Sequence, residues 1–372
     1  MKKFLDCISV VGSTPSRFQG TKKYVSTGAV ATTEIDESEV VEVSYEDRPS
    51  RANLTAEAGD ILFAKMQGTR KTLLLDSETE ENIYSTGFYA VRANPQIITT
   101  ECLYYLIDSE LFLTQKDKNC SGATQKAITN GGLAKIEIRI PPLSEQGVLT
   151  EKLRYLTQLI ADKRKQLELF DEVIKSRFIE MFGDPVLNPL GWKTKPLLEM
   201  GTCKNGMNFH DGDEGIEINC LGVGDFKDLA MIDKTDELPT ISLNEAPPKE
   251  YLLKNGDIVF VRSNGNKALV GRCLVVFPHD IPTTYSGFCI RYRLMTDELE
   301  TQYLLRVLKT ESIRKKMAGR GANIQNLNQQ ILASLIIPIP PKDLQQQFAA
   351  FVEQIDKSKY HGETTNEMEV AA

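Results

Sequence analysis

The chain repeats itself once, and that repeat limits its fold more than any other feature. Gly59-Asp60-Ile61-Leu62-Phe63 recurs as Gly256-Asp257-Ile258-Val259-Phe260, and Tyr84-Ser85-Thr86-Gly87-Phe88 as Tyr285-Ser286-Gly287-Phe288. Further on, Tyr104-Tyr105-Leu106 is echoed by Tyr303-Leu304-Leu305 and Ser121-Gly122-Ala123 by Arg320-Gly321-Ala322. Ile136-Glu137-Ile138-Arg139-Ile140-Pro141-Pro142 matches Leu335-Ile336-Ile337-Pro338-Ile339-Pro340-Pro341. The five matches keep their order, at offsets from 197 (Gly59 to Gly256) to 201 (Tyr84 to Tyr285). A period near 200 means a duplicated domain, since solenoid units are far shorter. The 372 residues hold two such domains with chain left over for connections, each long enough to bury its own core.

Both copies follow one grammar. A Gly-Asp turn opens a β-rich apolar run, Ile61-Leu62-Phe63 or Ile258-Val259-Phe260-Val261. A polar, glycine-containing loop follows, then a second strand, Phe88-Tyr89-Ala90-Val91 or Phe288-Cys289-Ile290-Arg291-Tyr292. A helix then carries Leu103, Leu106 and Ile107 in the first copy and Leu304, Leu305 and Leu308 in the second. Each copy closes on a strand that stops at Pro-Pro, which neither continues a sheet nor enters a helix interior.

Beyond the first Pro-Pro, Leu149, Leu153, Leu156, Ile160, Leu167, Phe170 and Ile174 alternate in steps of four and three, interrupted by Lys163 and followed by Arg177 and Met181. This is a heptad seam, and 33 residues from 149 to 181 make a helix of about 50 Å. Ser144-Glu145-Gln146 is a helix start, and Gly183 with Pro185 a stop. After the second Pro-Pro, Leu344, Phe348, Phe351 and Ile355 repeat the spacing before the pattern fades, so the two helices are expected to pair antiparallel. The expected order is a domain over 1–142, a long helix over 143–183, a second domain over 184–341, a shorter helix over 342–360 and a disordered tail over 361–372. The fold class is α+β, with two pseudo-repeated α/β domains joined by long antiparallel coiled-coil helices.

Composition excludes several function classes. Hydrophobic content of 41% and charged content of 26% suit a globular protein. No apolar run approaches a membrane span, and Asp6 breaks the signal-like start Met1-Lys2-Lys3-Phe4-Leu5, which points to the cytoplasm. The seven cysteines are never in C-x-x-C spacing, and His210, His279 and His361 lack neighbouring ligands, so neither a disulfide framework nor a zinc site is expected. The net charge of −7 disfavours nucleic acid taken as a sum, yet its distribution is uneven. Acids crowd 34–47 and 76–81, whereas Arg306, Lys309, Arg314, Lys315, Lys316 and Arg320 face only Glu311. Such a basic run also fits a solvated helix face.

No catalytic motif is complete. Asn188-Pro189-Leu190 and Asn94-Pro95-Gln96 lack the second proline and the aromatic residue of adenine methyltransferases. Asp60 with Lys65, or Asp257 with Arg262, lacks the further acid of a metal-dependent nuclease. Gly222 and Gly224 have no third glycine for dinucleotide binding.

Three segments resemble the specificity subunits of type I restriction–modification systems. Ile140-Pro141-Pro142-Leu143-Ser144-Glu145-Gln146 heads the long helix as in that family. Met181-Phe182-Gly183-Asp184-Pro185-Val186, with Asn188-Pro189-Leu190-Gly191-Trp192, resembles the entry to the second recognition domain. Pro340-Pro341, Leu344-Gln345-Gln346-Gln347-Phe348-Ala349 and Gln354-Ile355-Asp356-Lys357-Ser358-Lys359 resemble the second helical region. The resemblance covers nearly the whole chain. It implies that each domain binds one half of a bipartite double-stranded DNA site and that the helices set the spacing. It also implies methyltransferase (M) and restriction/translocase (R) partner subunits. S-adenosylmethionine, ATP and Mg would be bound by those partners, and no cofactor by this chain. The second helix is shorter than the family's, which would leave part of the first open for self-association or a partner.

Base reading calls for Arg or Lys toward guanine and Asn or Gln toward adenine. The first domain offers Gln67, Thr69, Arg70 and Lys71 after its Gly-Asp strand, and Lys116, Lys118, Thr124, Gln125 and Lys126 before its closing strand. The second offers Arg262, Ser263, Asn264, Asn266 and Lys267, then Lys315, Lys316, Arg320, Asn323, Gln325 and Asn326. The same polar loops fit a duplicated, non-catalytic coiled-coil adaptor that binds protein rather than DNA, and that alternative stays open.

Overall fold

The computed structural model describes residues 1–123, 125–209, 215–226, 229–318 and 326–370, with 360–370 as helical backbone only. The chain divides into two compact units, 1–163 and 164–372.

In the first unit, Ile8–Val11, Phe88–Ala93, Ile61–Ala64 and Thr72–Leu74 form an antiparallel sheet in that order. Val41–Ser44, Thr21–Val25, Ile83–Ser85 and Ala52–Leu54 form a second, mixed sheet. Lys2–Lys3 pairs antiparallel with Glu137–Ile138, so the two ends of the domain meet. Helices α1 (Thr100–Asp108), α2 (Glu110–Lys118) and α3 (Asn130–Leu133) complete the unit, and α4 (Leu143–Phe182) leaves it. The core sits under the first sheet. Phe112 on α2 meets Phe4 and Phe63 with ring centroids 4.9 and 5.5 Å away. Burying one such ring contributes about 1.5–3 kcal/mol.

The second unit repeats this plan. Gly201–Asn205, Cys289–Leu294, Asp257–Val261 and Cys273–Val276 run antiparallel in the same order, with Met231–Ile232 added at the edge. Thr240–Leu243, Ile216–Leu221 and Thr283–Tyr285 form a second, mixed sheet of three strands, with one antiparallel and one parallel pairing. Lys193–Pro196 pairs with Ile336–Ile339, and α5 (Thr301–Lys309), α6 (Glu311–Ala318) and α7 (Gln329–Ala333) precede α8 (Lys342–Val370).

Two buried devices recur in both units. Gly59 and Gly256 turn with φ of 85° and 84°, in the left-handed region that favours glycine. The next residue, Asp60 or Asp257, is buried and receives both arms of an arginine. Arg92 Nε and Nη2 donate to Asp60 at 2.6 and 3.0 Å, and Arg293 does the same to Asp257 at 2.7 and 2.7 Å. These acids are therefore structural, which removes the nuclease pattern considered for them. At the head of each long helix a fully buried glutamine satisfies three backbone groups. Gln146 accepts from Thr99 N at 2.7 Å and donates to the Ile97 and Pro141 carbonyls at 3.0 and 2.9 Å. Gln345 accepts from Glu300 N at 2.8 Å and donates to Glu298 and Pro340 at 2.9 and 2.8 Å.

The equivalent pairs Thr99/Glu300 and Ile97/Glu298 lie 201 residues apart, and α1 and α5 share that offset. Cys102 therefore corresponds to Tyr303, and the sequence match of Tyr104 with Tyr303 is out by two positions. The burial of Leu103 with Leu304, and of Ile107 with Leu308, fits this register.

The helices differ from expectation in two ways. The fully buried face of α4 in the second unit is Ile174, Phe178 and Phe182, with Met181 half-buried beside it, while the heptad position Arg177 is exposed. A straight helix turns at 3.6 residues, so a strict seven-residue count drifts off the buried stripe. Phe178 and Phe182 pack on Phe348 of α8 at 5.5 and 5.6 Å, while Lys359 reaches Asp171 at 2.7 Å, so these stretches run antiparallel. Val352 is buried beside Phe348, with Phe351 and Ile355 half-buried. Second, α8 continues to Val370, so the expected end at 360 and disordered tail over 361–372 are not what the backbone adopts up to that residue. Fading of an apolar seam ends what a partner can bury, but each added residue still gains a backbone hydrogen bond. Gly183 ends α4 with φ 73°, where an added Cβ would stand 2.5 Å from Pro189 Cγ.

Gln345→Leu keeps the volume but orphans the Glu300 amide and two carbonyls. It is expected to cost about 2–4 kcal/mol, given about 1–3 kcal/mol for an unsatisfied buried group. A urea midpoint for the second unit equal to wild type would contradict this.

Candidate nucleic-acid interface

In each unit the loop after the Gly-Asp strand meets the segment before the closing strand. Lys65 and Arg262 occupy equivalent positions at the root of that loop. The Lys65 carbonyl accepts from Ile128 N at 2.9 Å, and the Arg262 carbonyl from Leu327 N at 2.8 Å. Their side chains also correspond: Lys65 Nζ donates to Thr86 O at 2.8 Å, and Arg262 Nη1 to Gly287 O at 3.0 Å. In the first unit the two candidate groups are thus brought to one edge, with Gln67 N bonded to Lys126 O at 3.0 Å, and in the second unit Asn326 lies beside Leu327, whose amide is tied to the root of the loop.

Individual candidates fare differently. In the first unit Lys118, Gln125 and Lys126 are exposed, and Thr124 lies outside the described residues. Gln67 donates to Asp117 O at 3.1 Å, Arg70 forks onto Asp108 at 3.1 and 2.7 Å, and Lys71 donates to Thr27 O. Thr69 is half-buried. Lys116 does not face solvent at all. Its ammonium is buried and donates to the carbonyls of Met66 and Thr69 at 3.0 and 2.7 Å, with Asp117 at 3.3 Å. The Asp117 carboxylate in turn accepts from Gly68 N at 2.9 Å. Lys116 is therefore corrected from a DNA contact to a strut beneath the loop. The counterpart of Lys116 in α6 is Met317, also buried.

In the second unit Asn266, Lys267, Lys315, Lys316 and Asn326 are exposed, while Arg320, Asn323 and Gln325 lie outside the described residues. Asn264 and Asn266 shape the loop by accepting from Asn266 N and Ala268 N at 2.7 and 3.0 Å. Ser263 is half-buried, its amide 3.3 Å from Phe288 O. The basic run does not form one outward face. Lys309 donates to Leu229 O at 3.2 Å and Arg314 to Val270 O at 3.3 Å, and Lys315 pairs with Glu311 at 2.6 Å. Arg306 turns inward, its Nε and Nη2 buried with no hydrogen-bond partner among the described residues, and burial pushes the pKa of Arg306 and Lys309 down. Much of the acidity lies in the segments around the second sheet of the first unit, where Glu37 pairs with Lys23 and Glu46 with Arg17.

Sequence reading also placed one equivalence wrongly. The sheet register sets Phe88 opposite Ala64 and Cys289 opposite Val261. Lys65 N donates to Gly87 O at 2.9 Å and Arg262 N to Phe288 O at 2.8 Å, so Phe288 stands where the first unit has Gly87. A constant offset of 201 through this stretch was the missed signal.

The site carries no evident chemistry of its own. Among the described residues no group of three His, Cys, Asp or Glu is placed to hold a metal ion. All seven cysteines are free. Burial pushes Cys203 and Cys220 up to about 12 and Cys273 up to about 11, which leaves them as inert thiols at neutral pH.

Two copies of one α/β module, each followed by a long helix, define a duplicated two-module architecture. The profile described as "Type I restriction modification DNA specificity domain" matches residues 12–169 and again 189–370, and the chain belongs to that family. It is 25% identical over 291 residues to the type I restriction enzyme StySPI specificity subunit of Salmonella potsdam, covering 73% of this chain and 62% of that one. It is 22% identical over 317 residues to the EcoKI specificity subunit of Escherichia coli, covering 80% of this chain and 67% of that one. The match thus spans a little under two thirds of the Salmonella subunit's length. The crystal structure of the type I restriction–modification S subunit from M. genitalium shares the fold, with a TM-score of 0.53 at 13% identity over 100% of this chain and 92% of that one.

Lys116→Met, which copies Met317, tests the strut. Losing hydrogen bonds from a charged donor is expected to speed exchange of the Gly68 amide about ten- to a hundredfold, at about 1.5–3 kcal/mol per bond. Unchanged exchange at Gly68 would show that the loop holds itself.

Proposed function

We propose that this chain is the non-catalytic, DNA-reading subunit of a type I restriction–modification complex. Each unit binds one half of a bipartite double-stranded site, and the long helices fix the separation of the halves. The observation that carries this reading is the repetition of one module in which the root of the polar loop after the Gly-Asp strand is tied to the segment before the closing strand in both units. Two modules on a common helical frame suit two half-sites at a set spacing. Exposed Lys118, Lys126, Lys267 and Lys316 supply phosphate contacts, which position the duplex, while Arg262, Asn264, Asn266 and Asn326 supply groups for base edges.

The partners are the methyltransferase and restriction/translocase subunits, which would carry S-adenosylmethionine, ATP and Mg. Support for a docked protein comes from α4. Val148, Leu149, Tyr155, Leu156 and Ile160 are between 40% and 69% exposed. An apolar stripe of this length on one helix marks a protein contact. None of the helices described is long and apolar enough to cross a membrane, in keeping with action in the cytoplasm.

The test is selection from a randomised duplex pool by the chain together with its methyltransferase subunit. A split consensus, with affinity falling steeply as salt rises, is expected. Enrichment of no duplex would leave the protein-binding adaptor as the better reading. Lys267→Ala is expected to weaken binding to all sequences alike and to lower the salt slope by about 1. Ile160→Asp is expected to abolish co-purification with the methyltransferase subunit at an unchanged melting temperature, since the site is exposed. Retained co-purification would move the docking surface elsewhere.

A further inference from the structure

The position shared by Gly87 and Phe288 separates the two modules sharply. Of fifteen phenylalanines, Phe288 is the only exposed one among the described residues, with 62% of its surface in solvent. The fold does not require the ring, because the first module makes the same backbone hydrogen bond with glycine. Nor is the ring loosely tethered. The Phe288 carbonyl accepts from the amides of Arg262 and Ser263 at 2.8 and 3.3 Å, and its own amide donates to Ser286 Oγ at 3.3 Å. Gly287, immediately before it, donates to Met207 O at 2.7 Å and lies so close to Asn208 that an added Cβ would fall 2.1 Å from the Asn208 Oδ1. The backbone on both sides is fixed, and the buried strand Cys289–Leu294 follows directly.

The ring therefore projects from the root of the loop that carries Arg262, Ser263, Asn264 and Asn266. Those neighbours offer polar groups suited to guanine and adenine edges, and none offers an apolar surface. In the major groove the one apolar group a base presents is the C5-methyl of thymine. We propose that Phe288 is a specificity residue of the second module, its ring in contact with a thymine methyl in the second half-site. This rests on the DNA-reading function proposed above.

The experiment uses the complex of this chain with its methyltransferase subunit. A randomised duplex pool first defines the site for wild type and for Phe288→Ala. Each thymine of the second half-site is then replaced singly by deoxyuridine, which removes only the methyl group. Wild type is expected to lose about fourfold in affinity at one such position, the worth of one buried methyl. Phe288→Ala is expected to lose nothing there, to relax selection at that position, and to keep both its first half-site preference and its melting temperature. The proposal is overturned if Phe288→Ala selects the same site at the same affinity, if its loss is equal for thymine and deoxyuridine duplexes, or if the second half-site holds no thymine. A wild-type complex that selects no duplex removes the DNA-reading function and this proposal with it, an outcome distinct from the other three.

Discussion

Each module depends on a glutamine amide sealed inside the head of its outgoing helix. A helix that begins just after a domain's last strand could leave it in many directions, since Pro-Pro stops the strand without aiming the helix. Gln146 and Gln345 remove that freedom. Each carboxamide spans the turn before the helix and the loop before α1 or α5, using one acceptor and two donors on backbone groups. A buried amide with its hydrogen bonds filled is directional in a way that apolar packing is not. The exit angle of the helix is thereby fixed relative to the module it leaves. In a protein whose proposed task is to hold a recognition surface at a set place on DNA, that angle is part of the reading.

The second constraint lies across the sheet, where a glycine turn delivers a buried aspartate to an arginine fork. The aspartate is buried and costly to desolvate while its arginine stays partly exposed, 46% for Arg92 and 18% for Arg293, so the pair adds specificity of register rather than much net stability. Its effect is to place the start of the Ile61–Ala64 or Asp257–Val261 strand, and so the root of the polar loop at the strand's other end. The loop's position is set by a feature several residues away that never approaches a ligand.

The repeat was legible in the sequence because it is carried by turn glycines, buried apolar runs and Pro-Pro stops, whose spacing the fold cannot change. The helix seam was legible in outline and wrong in detail. Leu149, Leu156, Ile160 and Leu167 are exposed rather than buried against a partner helix, and counting sevens past Ile174 selected Arg177 over Phe178. The basic run misled for a different reason. Charge in a sequence does not say which way a long side chain points, and Arg306 and Lys309 bury their stems and much of their heads. Lys116 misled in the same way. It lies four residues beyond Phe112 and so shares the inward face of α2, a relation visible once Met317 is recognised as its counterpart.

The differences between the modules are as ordered as their similarities. The frame is kept position for position: the Gly-Asp turn, the arginine fork, the glutamine seal and the pairing of first strand with last. The substitutions that change chemistry gather at one edge, where Lys116 becomes Met317, Gly87 becomes Phe288, and the loop of 65–71 becomes that of 262–272. The first loop is short and pinned from beneath by an ammonium and a carboxylate. The second is longer, braced by its own asparagine turns, and flanked by an exposed ring. A frame that is rigid and duplicated can present unlike loops without refolding, because each loop is fastened at its root by bonds to the backbone. On the proposed function, two copies of one scaffold would in this way present unlike recognition edges to two half-sites.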